Sequence, residues 1–177
     1  MTTFYLIRHG EPEWTINERY KLRGHGRDLV PLTPLGIKQV YEASRDDRLK
    51  NAQLIISSPY TRALQTAAIL SKELQLEIQV EFDLREWQPD LSFQYDTMKQ
   101  LQELGADYDL HNGIYPEGET RLWESQPMMK ARMEGVISKY LYYEHVIVAG
   151  HGMLFRTQYP IEEIPHAHII ELNKVRG

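Results

Sequence analysis

The chain is punctuated by short apolar runs that are too brief for helices and too continuous for strands on a protein surface. Residues 3–7 (TFYLI), 53–56 (QLII) and 146–149 (VIVA) are of this kind. Such runs mark strands buried on both faces, as in the sheets of α/β proteins. Two more segments read as strands: residues 77–82 (EIQVEF), which alternate, and residues 168–172 (HIIEL) near the C-terminal end. Helical patterns separate them. Thr33 followed by Pro34 is an N-cap with proline in the first turn, and Ile37, Val40, Tyr41 and Ala43 supply a face. Residues 60–74 place Ala63, Leu64, Ala67, Leu70 and Leu74 at helical spacing. A third helix is expected around Leu101 and Leu104, within residues 92–104. A fourth is expected over residues 120–142, kinked or restarted at Pro127. Strand and helix alternate along most of the chain, which predicts an α/β fold with a largely parallel sheet.

At 177 residues the chain fits one domain, taken here as residues 1–177. With 42% hydrophobic residues it can build a core without staples. It has no cysteine, which excludes disulfides, thiolate chemistry and cysteine-bound zinc. The N-terminus lacks the basic region and long apolar stretch of a signal peptide, and no run approaches the roughly 18 apolar residues of a membrane span. A cytoplasmic protein is expected. The net charge of −5 offers no general attraction for nucleic acid or anionic membrane. An anionic substrate must be held by a local pocket that opposes the global charge.

In an open α/β sheet, ligands bind beyond the carboxyl ends of the strands. Arg8-His9-Gly10-Glu11 follows the first strand and Ser57-Ser58-Pro59-Tyr60-Thr61-Arg62 the second. Leu84-Arg85-Glu86-Trp87 follows the third and Gly150-His151-Gly152 the fourth. Two histidines, several arginines and a carboxylate thus share one edge. This set suits phosphoryl transfer. An arginine fork matches phosphate oxygens, a neutral imidazole can attack phosphorus, and a carboxylic acid can protonate the departing oxygen. Any one of these residues alone is more often a packed or solvated side chain. Their joint placement is what raises the functional reading.

These segments carry a resemblance. FYLIRHGEPEW, SSPYTRALQTA, LREW, GET (residues 118–120) and VIVAGHG, with PLTPLG at residues 31–36, resemble in order the motifs of the histidine phosphatase superfamily, which includes the cofactor-dependent phosphoglycerate mutases. The resemblance covers most of the chain. It implies a three-layer α/β/α sandwich whose sheet is mostly parallel with one antiparallel edge strand. It implies that His9 is the nucleophile that becomes phosphohistidine. Arg8, Arg62 and His151 would stabilise the transferring group, and Glu86 would be the proton donor and acceptor. No metal or organic cofactor is implied, and the partner is a small phosphorylated substrate.

The chain departs from the family pattern at Thr15, which stands where an asparagine usually contacts the phosphate, with Asn17 two residues on as its candidate replacement, and at Met153, which follows Gly152 where the mutases usually have a polar residue. The family's next basic residue falls at Lys21 or Arg23, so Thr15, Asn17, Arg23 and Gly24 are read as substrate-loop positions. A lid or insert is expected at about residues 88–120. It carries Asp90, Asp96, Glu103, Asp107, Asp109, Glu117 and Glu119, against Lys99 and His111, and is poorly suited to a substrate with several negative charges. A phosphatase is therefore favoured over a phosphoglycerate mutase-type phosphoryl transferase. A non-catalytic phospho-ligand binding module is the remaining alternative. His166 and His168 fall on one face if extended; an edge-strand or solvated pair is expected there rather than a metal site. Small phosphomonoesters, a phosphorylated sugar or acid, and a phosphoprotein all remain open as substrates.

Overall fold

The computed structural model describes residues 1–175. Its sheet holds β1 (Thr2–Arg8), β2 (Leu54–Ser57), β3 (Ile78–Val80), β4 (His145–Gly150) and β5 (Ile169–Lys174). They lie in the order β3-β2-β4-β1-β5. β4 pairs in parallel with both β2 and β1, and β3 pairs in parallel with β2. β5 runs antiparallel to β1 at the opposite edge. The expected mostly parallel sheet with one antiparallel edge strand is therefore present.

The three apolar strands are central because both their faces are covered. Phe4 and Leu6 of β1, with Val146 and Val148 of β4, enter one core cluster; it also takes Met129, Met133, Val136 and Ile137 of α5 (Gln126–Lys139). Tyr5 and Ile7, with Ile147 and Ala149, face the other way, onto Val40 of α2 (Pro34–Ala43) and Ala67 and Leu70 of α3 (Thr61–Leu74). This alternation locks the register, since a slip of one residue would exchange the two faces. Helices on both sides of the sheet complete the three layers.

Some boundaries differ from the sequence reading. β3 is shorter than expected, and Phe82–Leu84 form a 3-10 turn beyond it. The third long helix, α4, spans Met98–Leu110 rather than residues 92–104. Thr97 caps it in a reciprocal capping box with Gln100. Pro127 neither kinks nor restarts a long helix. It sits in the first turn of α5, whose N-cap is Ser125. The segment after Trp14, which holds the expected substrate-loop positions, contains α1 (Thr15–Arg19) and a 3-10 helix over Gly24–Leu29. Among the described residues, no helix is long and apolar enough to cross a membrane.

Candidate active site

The site grows from the carboxyl ends of β1, β2 and β4. The His9 amide donates to Gly150 O at 2.9 Å, and the Ser58 amide to Ala149 O at 3.0 Å, so the strands stay in step just past their ends. Gly10 is required next to His9, because a Cβ there would lie 2.5 Å from the Gly36 carbonyl at the start of α2. A Cβ on Gly150 would lie 2.7 Å from the Phe155 ring. Both glycines let neighbouring elements close onto the histidines.

His9 is only 4% exposed. Its Nδ1 lies 2.8 Å from Gly10 O, which fixes that nitrogen as the N–H and leaves Nε2 with the lone pair. Burial, then the charge of Arg62, holds its pKa down at about 3, so the imidazole is neutral at physiological pH. His151 is fully buried, and burial followed by Arg62 likewise holds its pKa well below the usual histidine range. Its Nε2 meets Ser58 Oγ at 2.8 Å, while its ring lies 5.3 Å from that of His9.

The two arginines reach this pair from different elements. Arg8, at the end of β1, donates through Nη1 to the Ile164 carbonyl. Arg62, in the first turn of α3, pairs with Asp28 at 3.0 Å, and its guanidinium lies 5.2 Å from the ring centres of both Trp14 and Tyr60. Arg8 Nε, Arg62 Nε and His151 Nδ1 are all buried and lack a hydrogen-bond partner. Each such orphan costs roughly 1–3 kcal/mol, and a guanidinium N–H is a donor of the kind an oxyanion accepts from.

Glu86 arrives by a longer route. The 3-10 turn after β3 and the segment behind it are drawn inward by Arg132 of α5, which donates to the carbonyls of Asp83, Arg85 and Glu86. The Glu86 carboxylate then accepts from the amides of Trp87, Met153 and Leu154, at 2.9, 3.3 and 3.1 Å. The last two open α6 (Gly152–Arg156).

Beside this cluster lies a cavity of 730 Å³ whose wall includes Glu86, Asp28 and Asn17. Asn17 is 3% exposed, and neither atom of its amide has a partner. The other expected loop residues are placed differently. The Thr15 hydroxyl is taken by Glu13, and Thr15 does not line the cavity. Arg23 lines it, but its guanidinium pairs with Asp96 at 3.1 Å. Gly24 has φ +49°, and its carbonyl accepts from Tyr95 Oη at 3.0 Å. The insert supplies part of the opposite wall through Pro89, Tyr95 and Met98.

Sequence reasoning missed three features. Asp28 reaches Arg62 from the 3-10 helix. His166 is not an edge-strand residue: its ring lies 5.7 Å from that of His9. The signal for it was available, since β5 runs antiparallel and the residues before it return to the carboxyl edge of the parallel strands. The GET string is exposed, whereas the buried acid–hydroxyl pair is Glu124-Ser125. Among the described residues no group of three histidine or acidic side chains is placed to hold a metal ion.

Known proteins agree with this architecture. Residues 4–172 match the model of the histidine phosphatase superfamily, branch 1; the chain belongs to that family. It is 28% identical over 159 residues to the probable phosphoglycerate mutase GpmB of Proteus mirabilis, covering 86% of this chain and 71% of that one. Among solved structures it is similar to the mycobacterial glucosyl-3-phosphoglycerate phosphatase complexed with VO3. The TM-score is 0.73 at 20% identity, over 98% of this chain and 91% of that one. Bacillus stearothermophilus YhfR gives a TM-score of 0.73 at 22% identity, with the same coverage. At these identities the structural likeness speaks for the fold.

Proposed function

We propose that this chain is a phosphatase that hydrolyses phosphomonoesters through a covalent phosphohistidine on His9. The observation that carries the reading is the neutral His9 imidazole, fixed on Gly10 O, among buried arginine and histidine nitrogens without partners. Nε2 attacks phosphorus, and the bond from phosphorus to the leaving oxygen breaks. Glu86 gives that oxygen its proton. Water then attacks the phosphohistidine, the P–N bond breaks with its electron pair returning to His9, and Glu86 takes the water proton. Arg8, Arg62 and His151 offset the charge that spreads over the phosphoryl oxygens, so the chemistry needs no metal or organic cofactor.

The choice between hydrolysis and mutase-type transfer no longer rests on an acidic lid. Several of the insert's acids are engaged elsewhere: Asp90 bonds Ser92, Asp107 bonds Trp123, and Glu103 pairs with Lys99. Asp96 is the insert acid in the cavity wall, and it is paired with Arg23. Trp14 in the cavity wall is 47% exposed, so the cavity beside the site opens to solvent, and a water that follows the substrate into it can compete for the phosphohistidine.

Incubation with p-nitrophenyl phosphate tests the reading. Phosphate release should fall by at least about 10³-fold in His9→Ala, given the weight of covalent catalysis. Phosphoglycerate mutase turnover with negligible phosphate release would overturn hydrolysis in favour of transfer. No turnover between mildly acidic and mildly alkaline pH would favour a binding module.

A further inference from the structure

The 730 Å³ cavity is large for the leaving group of a small phosphorylated acid. Its volume lies in the range that encloses ligands of several rings. Trp14 in its wall carries an exposed indole, Trp87 lines it from a ring held by Glu124 O and Tyr108, and Leu22, Pro89 and Leu101 add apolar surface. Set into this wall are two buried carboxamides with unmet hydrogen-bonding capacity. Asn17 lacks partners for both its oxygen and its nitrogen, and Gln88 lacks one for its Oε1. Gln88 is 1% exposed and is held by its Nε2, which donates to Tyr60 Oη at 2.7 Å and to Glu86 O at 3.0 Å. Folding alone gives no reason to bury unpaired amides. A ligand that offers a donor beside acceptors gives one.

The charges in the wall are largely spent on one another. Arg23 and Asp96 neutralise each other and Asp28 is held by Arg62, while Glu18 shares the wall with Lys21 and Arg27. An uncharged leaving group with flat apolar faces and a polar edge fits these walls. A carboxylate-bearing three-carbon acid does not: it would leave the exposed Trp14 indole uncovered and the amides unpaired.

Building on the phosphatase reading, we propose that the substrate is a phosphomonoester of nucleoside type. Its heterocycle lies against the indole-lined wall and pairs its polar edge with the carboxamides of Asn17 and Gln88. Glu86, which lines the same cavity, then stands where the phosphoryl group and the heterocycle-bearing sugar are joined.

The test compares kcat/KM for adenosine 5′-monophosphate, glucose 6-phosphate, 3-phosphoglycerate and p-nitrophenyl phosphate on the wild-type protein. It repeats the series on Asn17→Leu. The wild type should favour the nucleotide over the sugar phosphate and over the acid by at least tenfold. Asn17→Leu should raise KM for the nucleotide at least tenfold, and more than it raises KM for p-nitrophenyl phosphate. Its melting temperature should not fall, because two unpaired buried polar atoms are replaced by an apolar side chain of similar size. Sugar phosphate or 3-phosphoglycerate turned over as well as the nucleotide would overturn the proposal while leaving the phosphatase reading intact. So would equal losses of the variant on nucleotide and aryl phosphate, which would assign Asn17 to the phosphoryl group. Failure to release phosphate from any compound, p-nitrophenyl phosphate included, would overturn both.

Discussion

Arg62 already has an anion beside it: Asp28 Oδ1 lies 3.0 Å from its Nη1. A phosphoryl group that needs this guanidinium must share it with the carboxylate or displace it. Asp28 is itself poorly solvated, and burial pushes its pKa up despite the pull of Arg62. Two close negative groups in one pocket repel strongly. Asp28→Asn should therefore tighten inorganic phosphate by about tenfold, equivalent to ~1.4 kcal/mol, in a calorimetric titration. Weaker binding in that variant would mean instead that Asp28 holds Arg62 in position. Glu86 permits a second test at this scale. If it protonates the departing oxygen, Glu86→Gln should lower kcat/KM, which reports the first transfer alone, by roughly 10²-fold or more on an alkyl phosphate. The loss of kcat/KM on p-nitrophenyl phosphate should be smaller, because that phenolate departs without a proton. Equal losses of kcat/KM on the two substrates would remove Glu86 from protonation of the leaving oxygen.

Glu86 can only act where the chain behind β3 places it, and that placement depends on α5. Arg132 binds Glu124 through both Nε and Nη2, at 2.6 and 2.9 Å, while its Nη1 holds the carbonyls of Asp83 and Arg85. Glu124 in turn accepts from the Gln88 amide at 3.2 Å. Arg132→Met would leave Glu124 buried without its partner. Loss of one member of such a pair costs about 3–5 kcal/mol, measurable as a lower urea midpoint, and kcat should fall with it. A variant of unchanged stability would mean that water reaches Glu124. The sequence did not disclose this support, because its members lie far apart along the chain and no periodicity joins them. The central strands were legible for the opposite reason: continuous apolar runs such as VIVA admit few environments. The position of α4 was misread because none of its residues is buried, so no apolar face announces its limits. Its start is set by the Thr97–Gln100 capping box instead. The candidate site was legible in His9, Arg62, Glu86 and His151, each placed after a strand, and in Arg8, the last residue of one. Asp28 was not, because its position depends on the path of a 3-10 helix; His166 could have been read from the antiparallel edge strand that returns the residues before it to the same rim.

The whole molecule must fold around imidazoles that it keeps neutral, and this ties its stability to pH. The pKa of His9 falls from about 6.5 in the unfolded chain to about 3 in the native protein. His151 shifts in the same direction. Well above pH 6.5 neither state binds these protons, and the native state keeps its full stability. As pH falls below 6.5, the unfolded chain takes up protons that the native protein refuses, so unfolding becomes more favourable. Each such histidine contributes a slope that approaches ~1.4 kcal/mol per pH unit. For His9 the loss continues until the pH reaches about 3. Urea unfolding of the wild type between pH 6.5 and 4.5 should therefore show a steeper loss than His9→Gln. The difference should approach one proton at the lower end of that range. The comparison concerns slopes, so a uniform change in the stability of the variant does not affect it. Saturating inorganic phosphate should raise the curve of the wild type by mass action. Parallel slopes for the two proteins would mean that native His9 titrates as an ordinary histidine. Much of the population would then be imidazolium below neutral pH, without the lone pair on which nucleophilic attack depends.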